Sequence, residues 1–206
     1  MFDNAAKELT KPMKPQSMMK ELSEIVSKDD IIILDGGETT AWGLIYLKAR
    51  RAGNVIVSQG PFGHLGAGVP MGIAAKAADP DRRVFVITGD GSFLFNGVEI
   101  DTAVRHDLPI VVIVVNDSAW GLVNHTRYLT TKSEERARYG VMLNENVRYD
   151  KFAESLGAYG ELVTEVGEIK EAVKRGIDSG LPAVIDVRVR LKDISPLAYI
   201  LSGSEG

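Results

Sequence analysis

An α/β fold, with a doubly wound and mostly parallel sheet and helices on both faces, is predicted by three features of the sequence. Short segments made wholly of apolar residues alternate with segments of helical periodicity, a pattern typical of parallel sheets. The apolar segments are continuous, as expected of strands that are buried on both faces. Several of them end in glycine or acidic residues, and ligands bind at the carboxyl ends of the strands in such sheets.

The predicted elements follow one another regularly along the chain. Strands are predicted at residues 31–34, 54–57, 84–87, 110–115, 159–163 and 183–189. Helices are predicted at residues 16–26, 39–49, 66–78, 96–105, 149–156 and 165–179. In the first helix, Met18, Leu22 and Ile25 recur at helical spacing, which places them on one face. Residues 120–146 are polar with weak periodicity, so no element is predicted there.

Length and composition indicate a globular chain of one or at most two domains. The chain has 206 residues, of which 45% are hydrophobic and 25% charged, as in ordinary globular proteins. The absence of cysteine excludes disulfides, thiolate metal sites and a cysteine nucleophile. A net charge of −4 argues against a nucleic-acid partner, which would need a broad basic surface. We assign residues 1–13 to a flexible lead, 14–190 to the folded domain and 191–206 to a C-terminal tail.

The sequence also predicts a cytoplasmic protein without a membrane partner. The first residues lack the basic and apolar regions of a secretion signal. The longest apolar run, residues 110–115, is far shorter than the ~20 residues that span a bilayer.

Two neighbouring strands end in side chains that bind hard cations. Gly89, Asp90, Gly91 and Ser92 follow one buried strand, and Asp117 follows the next strand, 27 residues after Asp90. Mg²⁺ is usually bound through one or two carboxylates together with the phosphates of its ligand. Glycines allow backbone N–H groups to approach such phosphates closely. The sequences of a P-loop or a dinucleotide-binding loop are absent, so another Mg²⁺–phosphate site is predicted.

The Gly-Asp-Gly sequence at 89–91, followed by Asp117, resembles the diphosphate-binding signature of thiamine diphosphate enzymes. The resemblance covers residues 14–190 and includes the loop at 63–66 and the segment 118–121. It is a resemblance to the cofactor-diphosphate (C-terminal) domain of the acetolactate synthase and pyruvate decarboxylase superfamily. The closest branch is that of benzaldehyde lyase and 2-hydroxyacyl-CoA lyase. The resemblance implies a thiamine diphosphate-binding fold, with thiamine diphosphate and Mg²⁺ as cofactors.

Site residues are carried over by position from this resemblance. The metal ligands would be the side chains of Asp90 and Asp117 and the carbonyl of Ala119, although the family usually has Asn where Asp117 stands. The residues implied to bind the cofactor are Glu38, Thr39, Gly63, Leu65, Gly89, Asp90, Gly91, Ser92, Asp117, Trp120 and Gly121. Glu38 is unusual at an anion site. Instead of contacting the phosphate directly, it could lie at the rim of the site or in the first turn of a helix.

Three residues are implied to act in catalysis. Leu65 stands where the family places a bulky aliphatic residue beneath the cofactor, which forces the bend that brings the 4′-imino group near the thiazolium C2. The alternative for Leu65 is an ordinary core leucine. Gln59 and His125 stand near the predicted substrate, with a surface or edge position as the alternative for His125.

The resemblance also implies a partner. In this superfamily the carboxylate that activates the aminopyrimidine ring lies on a separate pyrimidine-binding domain, and this chain has the length of one domain. We therefore expect either a natural subunit of a split enzyme or an excised domain, and Met1 favours the split subunit. The partner would be a separate subunit with the pyrimidine-binding domain, in a hetero-oligomer.

The expected function is that of a split carbon–carbon lyase or carboligase, similar to 2-hydroxyacyl-CoA or acyloin lyases. Its substrates would be 2-oxo acids, aldehydes or acyl-CoA. The alternatives are an acetolactate synthase-like subunit, a 2-oxo acid decarboxylase subunit of the sulfopyruvate or phosphonopyruvate type, and a relic that binds the cofactor without catalysis.

Overall fold

A parallel sheet forms the centre of the molecule. The structure, a computed structural model, describes residues 4, 6–8, 10–60 and 62–204. The strands of this part are β1 (Ile31–Asp35), β2 (Val55–Val57), β3 (Val84–Gly89), β4 (Val111–Asn116), β5 (Tyr159–Val163) and β6 (Ala183–Arg188). They pair in the order β2-β1-β3-β4-β6-β5, and every pair is parallel. The predicted α/β fold class is confirmed.

Helices cover both faces of this sheet. They are α1 (Pro15–Ile25), α2 (Gly37–Tyr46), α3 (Gly68–Ala78), α4 (Asp90–Asn96), α5 (Ile100–Arg105), α6 (Gly121–Thr131), α7 (Glu134–Arg138), α8 (Tyr149–Ser155), α9 (Ile169–Asp178) and α10 (Pro196–Ser202). Single 3₁₀ turns, Gly97–Glu99 and Val166–Glu168, precede α5 and α9. Helices α1, α2 and α9 pack on one face of the sheet, and α3, α4, α5 and α8 on the other.

Neighbouring strand residues supply the two hydrophobic cores alternately. In β1, Ile32 and Leu34 face the core with α1, whereas Ile31 and Ile33 face the core with α3. Side chains point to opposite faces along a strand, so a strand buried on both faces must be apolar throughout. This requirement explains why the strands appear in the sequence as continuous apolar runs.

The structure differs from the sequence prediction at four helices. Where one helix was predicted at 96–105, the structure has two, α4 and α5. Helix α4 already starts at Asp90, and its first turn contains the glycine-rich motif. The segment 120–146, for which no element was predicted, contains α6 and α7. Helix α7 has Ser133 as its N-cap, whose side chain accepts a hydrogen bond from the Arg136 backbone N–H at 3.3 Å. Helix α10 lies within the segment predicted to be a C-terminal tail.

The segments before α1 and after β6 meet beside the sheet. Met13 is fully buried and forms a parallel bridge with Val189, and the Arg190 N–H donates to the Met13 carbonyl at 2.9 Å. Part of the predicted flexible lead, residues 1–3, 5 and 9, lies outside the described residues. The domain boundaries at 13 and 190 therefore stay a prediction. Within the described part of the chain, no helix is long and apolar enough to cross a membrane.

The strand order creates a crevice at one edge of the sheet. The chain leaves β1 toward β2 on one side, and β3 pairs with β1 on the other side, so the strand order reverses at β1 and β3. In open parallel sheets the connections that follow the two strands diverge at this point and leave room for a ligand. Helix α2 follows β1 and helix α4 follows β3, so their first turns border the crevice.

Candidate functional site

One cavity of about 320 Å³ occupies this crevice. Its wall includes every residue that the sequence analysis assigned to the site: Glu38, Thr39, Gln59, Gly63, Leu65, Gly89, Asp90, Gly91, Ser92, Asp117, Ala119, Trp120, Gly121 and His125. They come from four separate parts of the chain, because the segments that follow β1, β2, β3 and β4, the last one continuing into α6, all reach the same edge of the sheet. The roles of these residues stay predictions.

The buried carboxylate of Asp90 and the half-buried carboxylate of Asp117 form the polar end of the cavity. Asp90 is only 2% exposed, and its Oδ1 accepts the N–H of Gly91 at 2.8 Å. Its Oδ2 is buried and has no hydrogen-bond partner among the described residues. Asp117 accepts the N–H of Ala119 through Oδ1 at 3.0 Å.

The surroundings of both carboxylates raise their pKa values. Burial raises the pKa of Asp90 to about 7, against the effect of the Gly91 hydrogen bond. Burial and, next, repulsion by Asp90 raise the pKa of Asp117 well above its ordinary value. Since a divalent cation would offset both effects and provide a partner for Asp90 Oδ2, these residues fit a hard cation.

The other oxygens around such a cation would come from the backbone and the ligand. Within the described residues, no three His, Cys, Asp or Glu side chains lie close enough together to hold a metal. The carbonyl of Ala119 accepts no hydrogen bond from the described backbone N–H groups, so it is available as a ligand. This donor set suits Mg²⁺, which usually takes few protein carboxylates and adds phosphate and water oxygens.

Asp117 fits in its position only because residue 121 is a glycine. A Cβ on Gly121 would lie 2.6 Å from Asp117 Oδ2 and 3.4 Å from Glu38 Cγ. The first distance is shorter than any relaxed contact, so a larger residue would displace the carboxylate. Gly121 begins α6, and its lack of a side chain lets this helix start directly against Asp117 in the loop after β4.

Glu38 and His125 form a buried pair in the cavity wall. His125 Nδ1 lies 2.8 Å from Glu38 Oε1, and His125 Nε2 donates to the Leu191 carbonyl at 2.5 Å. The His125 ring thus bridges the Glu38 carboxylate and the Leu191 carbonyl. Glu38 Oε2 also accepts the Ser195 N–H at 3.1 Å. Glu38 thus lies in the first turn of α2, one of the two alternatives for it, and its carboxylate is hydrogen-bonded within the chain.

The loop that carries Gln59, Gly63 and Leu65 depends on a residue that the sequence analysis missed. Asp35, at the end of β1, is 1% exposed, and its carboxylate accepts the Ser58 hydroxyl at 3.0 Å. It also accepts backbone N–H groups from the end of the loop and the first residue of α3. A carboxylate directly after the first apolar run, at the predicted edge of the sheet, was the signal available in the sequence.

Both tryptophans border the cavity. Trp120 packs against Phe95, with 5.9 Å between the ring centroids, and its ring lies where a Cβ on Gly91 would be. Trp42, in α2, is almost fully buried and also lines the cavity. Aromatic rings from α2 and from the loop after β4 therefore contribute to the wall.

The remaining wall comes from the segment after β6, which the sequence analysis did not assign to the site. Its lining residues are Val189, Arg190, Leu191, Asp193, Leu197 and Leu201. The sequence contained one indication of a helix in this segment, namely Ser195 followed by Pro196. A serine and then a proline often begin a helix, as they do in α10. Asn116, by contrast, faces away from the cavity, because its Nδ2 donates to Asp186 Oδ1 at 2.9 Å.

Comparison with known proteins identifies similar chains. Residues 35–187 match the family model described as "Thiamine pyrophosphate enzyme, C-terminal TPP binding domain". The chain is 36% identical over 178 residues to "Acetolactate synthase large subunit IlvG" of Mycobacterium tuberculosis, a match that covers 85% of this chain and 31% of the relative.

Two further relatives come from other organisms. "Probable acetolactate synthase large subunit" of Methanocaldococcus jannaschii is 32% identical, with 91% of this chain and 32% of the relative covered. "Putative thiamine pyrophosphate-containing protein YdaP" of Bacillus subtilis is 32% identical, with 88% of this chain and 31% of the relative covered. The chain thus spans about a third of the length of these relatives.

Proposed function

This chain belongs to the thiamine pyrophosphate enzymes, as a C-terminal TPP-binding domain, and from this membership we propose that it is the Mg²⁺- and thiamine diphosphate-binding part of an acetolactate synthase-like carboligase. The resemblance inferred from the Gly-Asp-Gly sequence is thereby confirmed. The single observation that supports the proposal most is that Asp90, Asp117 and the glycine-rich turn border one cavity at the switch point of the sheet.

The residues of the cavity fit this cofactor. Asp90 Oδ2 is a buried acceptor without a partner in the described part of the chain, as expected of a ligand to Mg²⁺. We propose that Asp90, Asp117 and the Ala119 carbonyl hold the ion and that Gly91 and Ser92 contact the diphosphate. The Glu38 carboxylate is engaged by the His125 ring and the Ser195 N–H, so it is hydrogen-bonded within the wall beside the anionic ligand. When bound, thiamine diphosphate supplies the nucleophilic carbon that adds to a 2-oxo acid.

Acetolactate synthase-like chemistry is proposed because two of the three relatives reported above carry that name. They favour this alternative over the 2-hydroxyacyl-CoA lyase interpretation of the sequence. The cavity wall contributed by α10 and the segment after β6 is mainly apolar, which suits a small substrate such as a 2-oxo acid. Leu65 lines the cavity from the loop after β2, as the proposed support beneath the cofactor requires.

The activating carboxylate would have to come from another domain. The two glutamates nearest the site are engaged within the chain: Glu38 with His125 and Ser195, and Glu99 with the Thr102 hydroxyl at 2.6 Å. A further observation supports a pyrimidine-binding domain packed against this one: an apolar ridge flanks the cavity. Three residues of this ridge, Leu94, Phe95 and Val98, are each more than half exposed.

A proton-exchange measurement tests the proposal. We expect the chain to bind thiamine diphosphate in a Mg²⁺-dependent manner by calorimetry. We also expect exchange of the cofactor C2 proton at no more than the solution rate, measured by NMR in deuterium oxide. Addition of a subunit with the pyrimidine-binding domain should accelerate the exchange and permit acetolactate formation from pyruvate. Absence of Mg²⁺-dependent binding would refute the cofactor assignment, and fast exchange by the chain alone would refute the need for a partner.

A further inference from the structure

A second cavity lies beyond the wall that His125 and Leu191 form. It has a volume of about 310 Å³ and is enclosed by α6, α7 and the segment after β6. His125 and Leu191 line both this cavity and the cofactor cavity. Because the His125 ring donates to the Leu191 carbonyl, the two residues form one hydrogen-bonded partition between two separate volumes.

An unsatisfied amide lines this second cavity. Asn124 is 6% exposed, and its Nδ2 is buried without a hydrogen-bond partner among the described residues. Buried amides almost always have a partner in folded proteins, so a group without one points to a ligand atom or a water molecule that supplies it. An oxygen acceptor placed in the cavity would satisfy the Asn124 amide.

Two unpaired cations line the same cavity. Arg138 in α7 and Lys192 after β6 form no ion pair or side-chain hydrogen bond with the rest of the described chain. Arg190, two residues before Lys192, is instead paired with Asp193 at 2.5 Å. Among the described residues that line this cavity, Glu134 is the one acidic side chain, so the cations exceed the anions there. This excess favours an anionic ligand.

Aliphatic side chains form another part of the wall. Ala137 is almost fully buried, and Leu191 and Ile194 contribute aliphatic side chains. A free inorganic anion would leave this apolar surface without a contact, whereas an organic anion would cover it. The volume is at the small end of the range for ligand cavities, which limits the ligand to a short chain.

We propose that this second cavity binds a small organic carboxylate. The carboxylate lies between the Asn124 amide, Arg138 and Lys192, and the short apolar chain packs against Ala137 and Ile194. The proposal goes beyond the proposed function and does not depend on it, since none of these five residues lines the cofactor cavity.

An NMR titration of the full chain, without Mg²⁺ or thiamine diphosphate, tests the proposal. The probe is 3-methylbutanoate, and we expect saturable shifts of the α6 and α7 amides and of the Asn124 side-chain amide. The uncharged 3-methylbutan-1-ol should cause much weaker shifts. Arg138→Gln should weaken binding roughly tenfold or more, since it removes a charged hydrogen-bond donor. The control is Arg136→Gln, on the same exposed helix but outside the cavity wall, which should bind as the unchanged chain does.

Three results would overturn the proposal. They are the absence of saturable shifts at α6 and α7, equal affinity in Arg138→Gln and the unchanged chain, and binding of inorganic phosphate as tight as that of 3-methylbutanoate. The Asp90→Ala variant separates this site from the cofactor site. It should lose Mg²⁺-dependent cofactor binding and keep carboxylate binding, so that failure of one assignment is distinguishable from failure of the other.

Discussion

The carboxylate of Asp35 holds the backbone of Gly66. Its two oxygens accept the Gly66 N–H at 3.2 and 3.1 Å, and one of them also accepts the Gly68 N–H at 3.2 Å. Gly66 has a φ of +86°, and a Cβ there would lie 2.4 Å from the Cβ of Phe95, so the position requires glycine. The end of β1 thereby fixes the end of the loop that carries Leu65.

Asp35→Asn should disturb this loop and weaken cofactor binding. An amide nitrogen cannot accept from N–H groups, so the Gly66 N–H would lose one of its two acceptors, and the negative charge that strengthens these hydrogen bonds would be removed. We expect a loss of about 1–3 kcal/mol in the free energy of unfolding, measured by urea denaturation, and weaker thiamine diphosphate binding by calorimetry. Asp81→Asn, at an exposed position, is the control. Equal stability of the two variants would show that Asp35 does not hold the loop.

Gly121→Ala should weaken Mg²⁺ binding, because the added methyl group would displace Asp117 Oδ2 from its present position. We expect at least a tenfold loss in Mg²⁺-dependent cofactor affinity, which corresponds to about 1.4 kcal/mol. The matched control is Gly167→Ala, where a Cβ meets no atom within 4 Å. The metal assignment for Asp117 is wrong if both variants bind equally well.

Leu65→Ala should lower turnover more than cofactor affinity, since a support beneath the cofactor affects the geometry of reaction rather than the diphosphate anchor. In the enzyme assembled with its partner, we expect a loss in kcat of roughly tenfold to a hundredfold. The control is Leu181→Ala, at an exposed position outside the cavity. Weakened binding with unchanged turnover of the bound fraction would instead identify Leu65 as an ordinary core leucine.

Arg148→Met should remove a pH-dependent part of the stability. Burial opposes ionisation of Asp150, but the hydrogen bond and charge of Arg148 outweigh it and lower the pKa of Asp150. A lowered pKa stabilises the folded state above the unfolded value, about 4, and this stabilisation is lost as the pH falls through the folded value.

The measurement is the difference in free energy of unfolding between the unchanged chain and Arg148→Met. We expect about 1–2 kcal/mol near pH 7, reduced by the exposure of Arg148, and a difference close to zero in strong acid. Arg105→Met removes an exposed pair with Asp101 and should change stability little. A difference that does not shrink as the pH falls would contradict the role of the Asp150 charge.

The sheet and the convergence of the site residues could be predicted because both follow from recognising the strands, and each strand is recognised from its local sequence. Strands buried on two faces must be apolar throughout, and parallel strands bring their carboxyl ends to one edge. From these rules, Asp90 and Asp117 could be placed together although 27 residues separate them. Helix α4 could not be located, because the glycines of its first turn indicate a loop when read alone.

Contacts between distant segments account for what was missed. The pairing of Glu38 with His125 joins residues 87 positions apart, and neither residue belongs to a motif that predicts the other. The part of the wall that follows β6 reaches the cavity only because Val189 pairs with Met13 and α10 packs beside α6. Such contacts follow from the completed fold rather than from periodicity or spacing.

The placement of Trp42 and Trp120 gives the chain a built-in optical reporter. These are the only two tryptophans in the sequence, and both line the cofactor cavity. Indole emission responds to the polarity and the quenching groups around the ring, so essentially all tryptophan fluorescence of this protein originates at the site. A ligand that enters the cavity should change the emission without any attached dye, whereas one that occupies only the second cavity should change it much less.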